Sequence, residues 1–286
     1  MNSIEATMVL FSALEGGDNF WSKELAELGP VEVVKKVKEG GYDSTKSDKT
    51  ISKIGVQDPS QLLRQVVESE SEFIYKEHPA WPVGLNDLTA PPIALIVKGC
   101  LDSLSVSSLA IVGTRNPTNY GTRIAGDFAA GFVDRGWSII SGGAYGIDAA
   151  AHRGALIAEG VTLAVLACGI DINYPAGHSR LFAEICESGA LITEVMPGVH
   201  AIPARFLTRN RLIAAISKST LVVEAAFRSG SLRTARDAAE IFRPVMAIPG
   251  PINSPTSEGC HRLIGERAAE IVTSVADAVE FITLSK

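Results

Sequence analysis

The chain has 286 residues, 46% hydrophobic and 20% charged, the mix of a globular protein with a full core. No apolar run approaches the roughly 20 residues that cross a membrane, and no basic stretch followed by an apolar run begins at Met1, so a soluble, cytoplasmic protein without a secretory signal is expected. The formal net charge of −6 argues against a generally basic nucleic-acid binder.

That total hides an asymmetry. Residues 1–94 hold 9 Lys/Arg against 15 Asp/Glu, whereas residues 95–286 hold 17 of each. The first part has eight Lys and one Arg, and the second three Lys and 14 Arg. The planar guanidinium fork suits phosphate, whereas the ammonium is a point charge. An Arg-rich, neutral second part either gathers positive charge on one face or spends its Arg in surface ion pairs. Composition leaves both open.

In chain order, the first segment reads as small and helical. Leu25, Leu28, Val31, Val33 and Val34 recur at helix-compatible spacing, with Gly29-Pro30 as a break. Residues 40–60 are polar and predict a loop, Leu62–Val67 a further helix, and residues 77–92, with four prolines, an extended connector. From residue 93 the texture changes. Ile93–Val97, Ala110–Gly113, Ser138–Ser141, Leu163–Ala167, Leu191–Glu194, Leu221–Glu224 and Val245–Ile248 are short, continuously apolar runs, the look of strands buried on both faces. Between them Gly121–Arg135, Ala149–Glu159, Arg180–Ser188, Phe206–Ser217 and Ser231–Phe242 read as helices. This alternation predicts an α/β fold with a mostly parallel sheet and right-handed crossovers. Ligands in such sheets bind beyond the carboxyl ends of the strands.

The residues after the strands therefore carry the functional argument. Gly113-Thr114-Arg115 follows the second predicted strand, and Ser141-Gly142-Gly143-Ala144-Tyr145-Gly146 follows the third and opens a helix. Free N–H groups at such a turn either cradle phosphate or simply allow tight strand–helix packing. Ser229-Gly230-Ser231 is a second turn of this kind, flanked by Arg228 and Arg233. The densest basic run is Arg205-Phe206-Leu207-Thr208-Arg209-Asn210-Arg211. Three Arg and an Asn there grip successive phosphates while Phe206 stacks on a base, or else they form a solvated helix start with Phe206 in the core. Cations at a helix N-terminus oppose the dipole, which favours the first alternative. Tyr174 before Pro175 is either a stacking group or a loop anchor. His152 lacks an evident nucleophile or carboxylate partner and is expected to be packed and hydrogen-bonded. Cys100, Cys168, Cys186 and Cys260 are widely spread and read as buried apolar thiols in a reducing compartment.

The sequence has no G-x-x-x-x-G-K-[ST] loop, no G-x-G-x-x-G after the first strand, no G-x-S-x-G elbow and no Cys/His or carboxylate cluster. No catalytic residue, cofactor or metal is predicted.

The motifs together resemble the DprA/Smf family of bacterial DNA-processing proteins over roughly residues 75–275. They are Ile111-Val-Gly-Thr-Arg115, Tyr120-Gly121, the run Ser141–Leu156, Thr162–Asp171 with Tyr174-Pro175, Gly189–Glu194, Arg209–Ala214, Val222–Ala225, Ser229–Ala235, Ala247–Gly250 and Leu263-Ile264. The resemblance implies an extended Rossmann-like three-layer core, residues 76–286, preceded by a small helical SAM-like domain, residues 1–75, with no C-terminal winged-helix domain. It implies a non-enzymatic protein that binds single-stranded DNA without sequence preference, loads the recombinase RecA onto incoming strands in natural transformation, and forms a homodimer through the core. Arg115 and the Ser/Gly turns fall on the family's DNA-binding pocket. The expected interface is Gly113, Thr114, Arg115, Ser141, Gly142, Gly143, Tyr145, Gly146, Tyr174, Arg180, Arg205, Phe206, Arg209, Asn210, Arg211, Ser229, Gly230, Ser231 and Arg233. Phosphates are expected on the N–H groups of Gly142–Gly146 and Ser229–Ser231. The family often has Arg at the place of Tyr145 and a basic residue at that of Ala176, with Arg180 a few residues on as a substitute. Two rival readings are a nucleoside-monophosphate phosphoribohydrolase, partly echoed by Thr234-Ala-Arg-Asp237, and a nucleotide-sensing module that uses the same turns.

Overall fold

The computed structural model describes residues 1–42 and 44–285, and residues 44–49 by their backbone. Four helices come first: α1 (Ser3–Ala13), α2 (Asn19–Lys38), α3 (Ser44–Val56) and α4 (Pro59–Glu68). The Asn2 side chain caps α1 in a reciprocal capping box with Glu5. The expected break falls inside α2, where Gly29 (φ 76°) precedes Pro30. Helix α3 occupies most of the segment expected to be a loop, in which residue 43 lies outside the described residues. Its polar sequence hides it, and among its described side chains Ile54 is buried.

The rest of the chain alternates. It runs β1 (Glu72–Tyr75), β2 (Ala94–Gly99), β3 (Ser108–Val112), α5 (Asn119–Val133), β4 (Ser138–Ser141), α6 (Ile147–Ile157), β5 (Thr162–Val165), α7 (Ser179–Ser188), β6 (Ala190–Thr193), α8 (Pro203–Ile216), β7 (Ser219–Val222), α9 (Ser231–Glu240), β8 (Val245–Ala247), α10 (Glu258–Gly265), β9 (Glu270–Ile271) and α11 (Val275–Leu284). Among the described residues nine strands form one sheet, in the order β1-β2-β6-β5-β4-β3-β7-β8-β9. The pairs β1–β2 and β2–β6 are antiparallel and the others parallel. The mostly parallel sheet is thus present, with an antiparallel edge that the sequence did not announce. Strand β1 is short and half-exposed, and only Ile74 in it is buried.

Alternation along the strands divides the core. Ala110 and Val112 of β3 face α8, α9 and α10, while Leu109 and Ile111 face α5, α6 and α11. On that second face, further along, Ile96, Ala164 and Leu191 meet α7 and the N-terminal helices. The helical unit thus packs against the sheet rather than hanging from it.

Chain order sets the place of the site. From β3 the chain moves through β4 and β5 to β6 on one side, then crosses to β7 on the other side of β3. The strand order reverses between β3 and β7, where loops diverge and leave a crevice at the carboxyl edge.

Phe132 is fully buried on α5, with Trp137 edge-on at 5.5 Å between ring centroids. Phe132→Ala is expected to destabilise the fold by about 3–5 kcal/mol, read as a lower urea midpoint at unchanged slope.

Candidate nucleic-acid interface

A cleft of about 440 Å³ opens at this reversal. Its walls come from the end of β3 (Gly113, Thr114, Arg115), from the loop into α9 (Ala226, Arg228, Ser229, Gly230, Ser231) and from one face of α8 (Phe206, Arg209, Asn210). Nine of the predicted residues therefore meet: Gly113, Thr114, Arg115, Phe206, Arg209, Asn210, Ser229, Gly230 and Ser231. Arg115 is exposed and lies over the Phe206 ring at 5.2 Å. Tyr174, 46% exposed, packs on the other side of the cluster, 5.3 Å from Phe206. Cation and rings form a ledge on which a base could stack. Of the two alternatives for Phe206, the cleft wall holds rather than the deep core.

The basic groups divide sharply. Arg115 and Arg228 enter no ion pair among the described residues. Arg233 was in the expected interface and Arg228 was not; of the two, Arg228 lines the cleft. Arg233 is held by Asp237 one turn on (Nε–Oδ1 2.6 Å), an i,i+4 pair legible from sequence. Arg180 is likewise tied to Glu184 (2.8 Å) and lines a separate groove with Arg153 and Gly177. Arg211 is buried against Glu194 (2.7 Å), and Arg205 is taken by Glu15 (2.9 and 2.5 Å). Arg209 is buried, with its Nη1 donating to the carbonyls of Gly142 (2.6 Å) and Val165. Three arginines assigned to phosphates thus have partners within the fold, which accounts for the cations at the start of α8.

The first Ser/Gly turn is also occupied. The Asp148 carboxylate, in the first turn of α6, accepts the N–H groups of Gly142 (3.1 Å) and Ala144 (3.3 Å). Burial raises its pKa, against the nearby Arg209 guanidinium and those N–H groups. The expectation of phosphate on Gly142–Gly146 is corrected: the turn is filled by the chain's own carboxylate. Ser141 and Gly143 are interior, and the Ser141 hydroxyl donates to the Ile111 carbonyl (2.6 Å). Gly146 (φ 84°) lets the backbone pass against the carbonyls of Thr114 and Arg115, where a Cβ has no room. Tyr145 is exposed and rests edge-on against His178 at 4.5 Å, away from the cleft lining. In the second turn no carboxylate among the described residues takes the backbone N–H groups: that of Ser229 donates to the Ala226 carbonyl (3.0 Å) and that of Ser231 to the Ser229 hydroxyl (3.4 Å). Ser229 and Ser231 share a hydroxyl contact of 2.7 Å at the start of α9, and Asn210 Nδ2 donates to the Gly230 carbonyl (3.2 Å).

Acid–base chemistry finds little purchase here. His152 is fully buried. The Thr162 hydroxyl donates to the Ile139 carbonyl (2.9 Å), so its oxygen accepts from His152 Nδ1–H (2.7 Å), and Nε2 has no partner. Burial drives its pKa down to about 3. Asp237, the echo of a catalytic carboxylate, points to Arg233 and does not line the cleft. Among the described residues no group of His, Cys, Asp and Glu side chains is placed to hold a metal ion. Burial pushes Cys168 up to about 11 and Cys260 to about 12. Cys100 is exposed and Cys186 half-buried, so only two thiols are interior as expected.

Two outcomes follow. Arg209→Leu strands two buried carbonyls and is expected to cost roughly 2–6 kcal/mol in chemical denaturation, whereas Arg115→Ala changes stability by less than about 0.5 kcal/mol. Below pH about 6.5 the unfolded chain's histidine takes up a proton that His152 refuses until about pH 3. Stability therefore falls as pH drops through that window, by ~2 kcal/mol near pH 5. Urea titrations should show His152→Gln losing that part of the slope.

Comparison with known proteins agrees with this geometry. A family-wide sequence model described as DNA recombination-mediator protein A matches residues 72–283. A DprA-type protein of Mycobacterium tuberculosis is 42% identical over 268 residues, 89% of this chain and 69% of its own. The structure of DNA processing protein A from Streptococcus pneumoniae superposes with a TM-score of 0.85 at 29% identity, covering 98% of each chain. That of DNA processing protein A from Helicobacter pylori, described for its single-stranded DNA binding mode, gives 0.67 at 29% identity over 76% of this chain and 96% of the other. A Rossmann-like core with its reversal-point cleft, matched over most of its length, places this chain in the DNA recombination-mediator protein A family, the DNA-processing proteins of the DprA/Smf type.

Proposed function

We propose that the cleft binds single-stranded DNA without sequence preference. The observation that carries this is the pairing of two guanidinium groups outside any ion pair among the described residues, Arg115 and Arg228, with the Arg115–Phe206–Tyr174 ledge beside the exposed Gly230 at the start of α9. Phosphates meet Arg115, Arg228 and the Ser229–Ser231 turn, and bases stack on the ledge. The amide of Asn210 is engaged with the Gly230 carbonyl and the free guanidinium groups meet phosphates, so affinity depends on charge and stacking. A single strand can turn its bases to the rings, which a stacked duplex cannot. The Helicobacter pylori relative is described as a single-stranded DNA binder, which supports the reading.

The same reading assigns to the protein the loading of RecA onto incoming strands in transformation, a homodimer built through the core, the N-terminal helices as a SAM-like module, and a cytoplasmic setting. No helix among the described residues is long and apolar enough to cross a membrane.

Fluorescence anisotropy of labelled oligo-dT across a salt series tests the cleft. For about three to five neutralised phosphates, the log–log slope is roughly −2 to −3.5. Arg115→Ala should weaken binding to all sequences alike and make the slope shallower by about 0.7. Equal affinity for labelled duplex, or an unchanged Arg115→Ala variant, contradicts the reading.

A further inference from the structure

We propose that Arg205 is a further phosphate subsite of the DNA-binding surface, held closed in the free protein by Glu15 of the N-terminal unit; this rests on the cleft reading above. The two residues are 190 positions apart in sequence. Arg205 Nε and Nη2 both donate to the Glu15 carboxylate, at 2.9 and 2.5 Å, and Nη1 donates to the His200 carbonyl at 2.7 Å. A guanidinium clasped by two oxygens of one anion presents the geometry that it would present to a phosphate. Glu15 thus stands where a nucleic-acid phosphate would stand.

Three features make this more than a surface ion pair. Arg205 precedes Phe206 of the stacking ledge and lies one helical turn before Arg209 of the cleft wall, on the same side of α8. The carboxylate is fixed in place by its neighbour. Gly16 passes directly over the Glu194 carboxylate, and a Cβ there would overlap it. Glu194 in turn is bound to Arg211, so the loop after α1 is seated on the same helix. Finally, the pair is unequally exposed. The Glu15 side chain is 58% accessible and that of Arg205 17%, so solvent and salt reach the anion first. The anion of this pair keeps more than half of its side-chain surface in water, and a strand already anchored on Arg115 brings phosphates at high effective concentration to compete for the cation. The acidic bias of residues 1–94 then has a use: the N-terminal unit lends one carboxylate to a basic site on the Arg-rich core.

The test compares oligo-dT binding by the full chain and by Glu15→Gln, Arg205→Gln and the double variant, across the same salt series. Glu15→Gln is expected to tighten binding three- to tenfold at low salt and to steepen the slope by about 0.7, the contribution of one phosphate on a single strand. The double variant should bind as Arg205→Gln does. Glu15→Ala serves as a second variant, and melting temperatures confirm that all fold. An unchanged affinity in Glu15→Gln, with normal wild-type binding, overturns the proposal alone. So does an equal gain in the Arg205→Gln background, because the effect would then be net charge rather than unmasking. No binding by any of the four proteins overturns it together with the reading of the cleft.

Discussion

The guanidinium of Arg209 organises the carboxyl edge of the sheet. It reaches from α8 across the strand ends to the carbonyls of Gly142, after β4, and Val165, at the end of β5. On the far side of the same turn Asp148 takes the N–H groups of Gly142 and Ala144. Burying a cation and an anion in one layer is costly unless hydrogen bonds offset it, and here backbone groups supply them, to Nη1 of Arg209 and to the Asp148 carboxylate, while Arg209 Nε has no partner among the described residues. Helix α8 is thereby tied to the ends of the neighbouring strands β4 and β5, and is pinned with Phe206 and Asn210 facing the cleft.

That arrangement separates two uses of arginine. Interior guanidinium groups are structural: Arg209 fastens the edge and Arg211 neutralises Glu194 beneath the N-terminal loop. Those at the mouth, Arg115 and Arg228, enter no ion pair among the described residues, which leaves their charge for a ligand. A domain with no net charge can thus show a polyanion a positive cleft, because Arg115, Arg228 and Arg209 line it against the single carboxylate of Asp148. Overall charge describes solubility and long-range behaviour, not the sign of one crevice.

Much of this was legible in the sequence. The parallel strands were visible as apolar runs because they are buried on both faces, and the turns after β3 and β7 could be singled out because sheet topology places ligands there. Gly113, Arg115 and Ser229–Ser231 were found that way, and Phe206 from the basic run in which it lies. The misses have physical causes. Strands β1 and β9 carry only four and two residues, mostly exposed, and helix α3 shows too little apolar surface to announce itself. The engagement of Arg205, Arg209 and Arg211 could not be read because their partners are a backbone carbonyl or a carboxylate far away in the chain. Filling of the Gly142–Gly146 turn by Asp148 was hidden for a subtler reason. A cradle suited to phosphate is equally suited to a side-chain carboxylate, and nothing in the pattern of glycines distinguishes the two.

The reversal of strand order between β3 and β7 has a consequence for synthesis on the ribosome. One wall of the cleft is made by residues 108–115 and the other by residues 226–231, with α8 arriving between them in sequence. A growing chain that has released only β3 to β6 holds half a binding site, with Arg115 and its glycine turn facing no opposite wall. The ledge and the Ser229–Ser231 turn come together only after α9 has emerged. An emerging chain therefore has no complete cleft until most of its core is already in place, with only β8 and β9 among the described strands still to join the sheet.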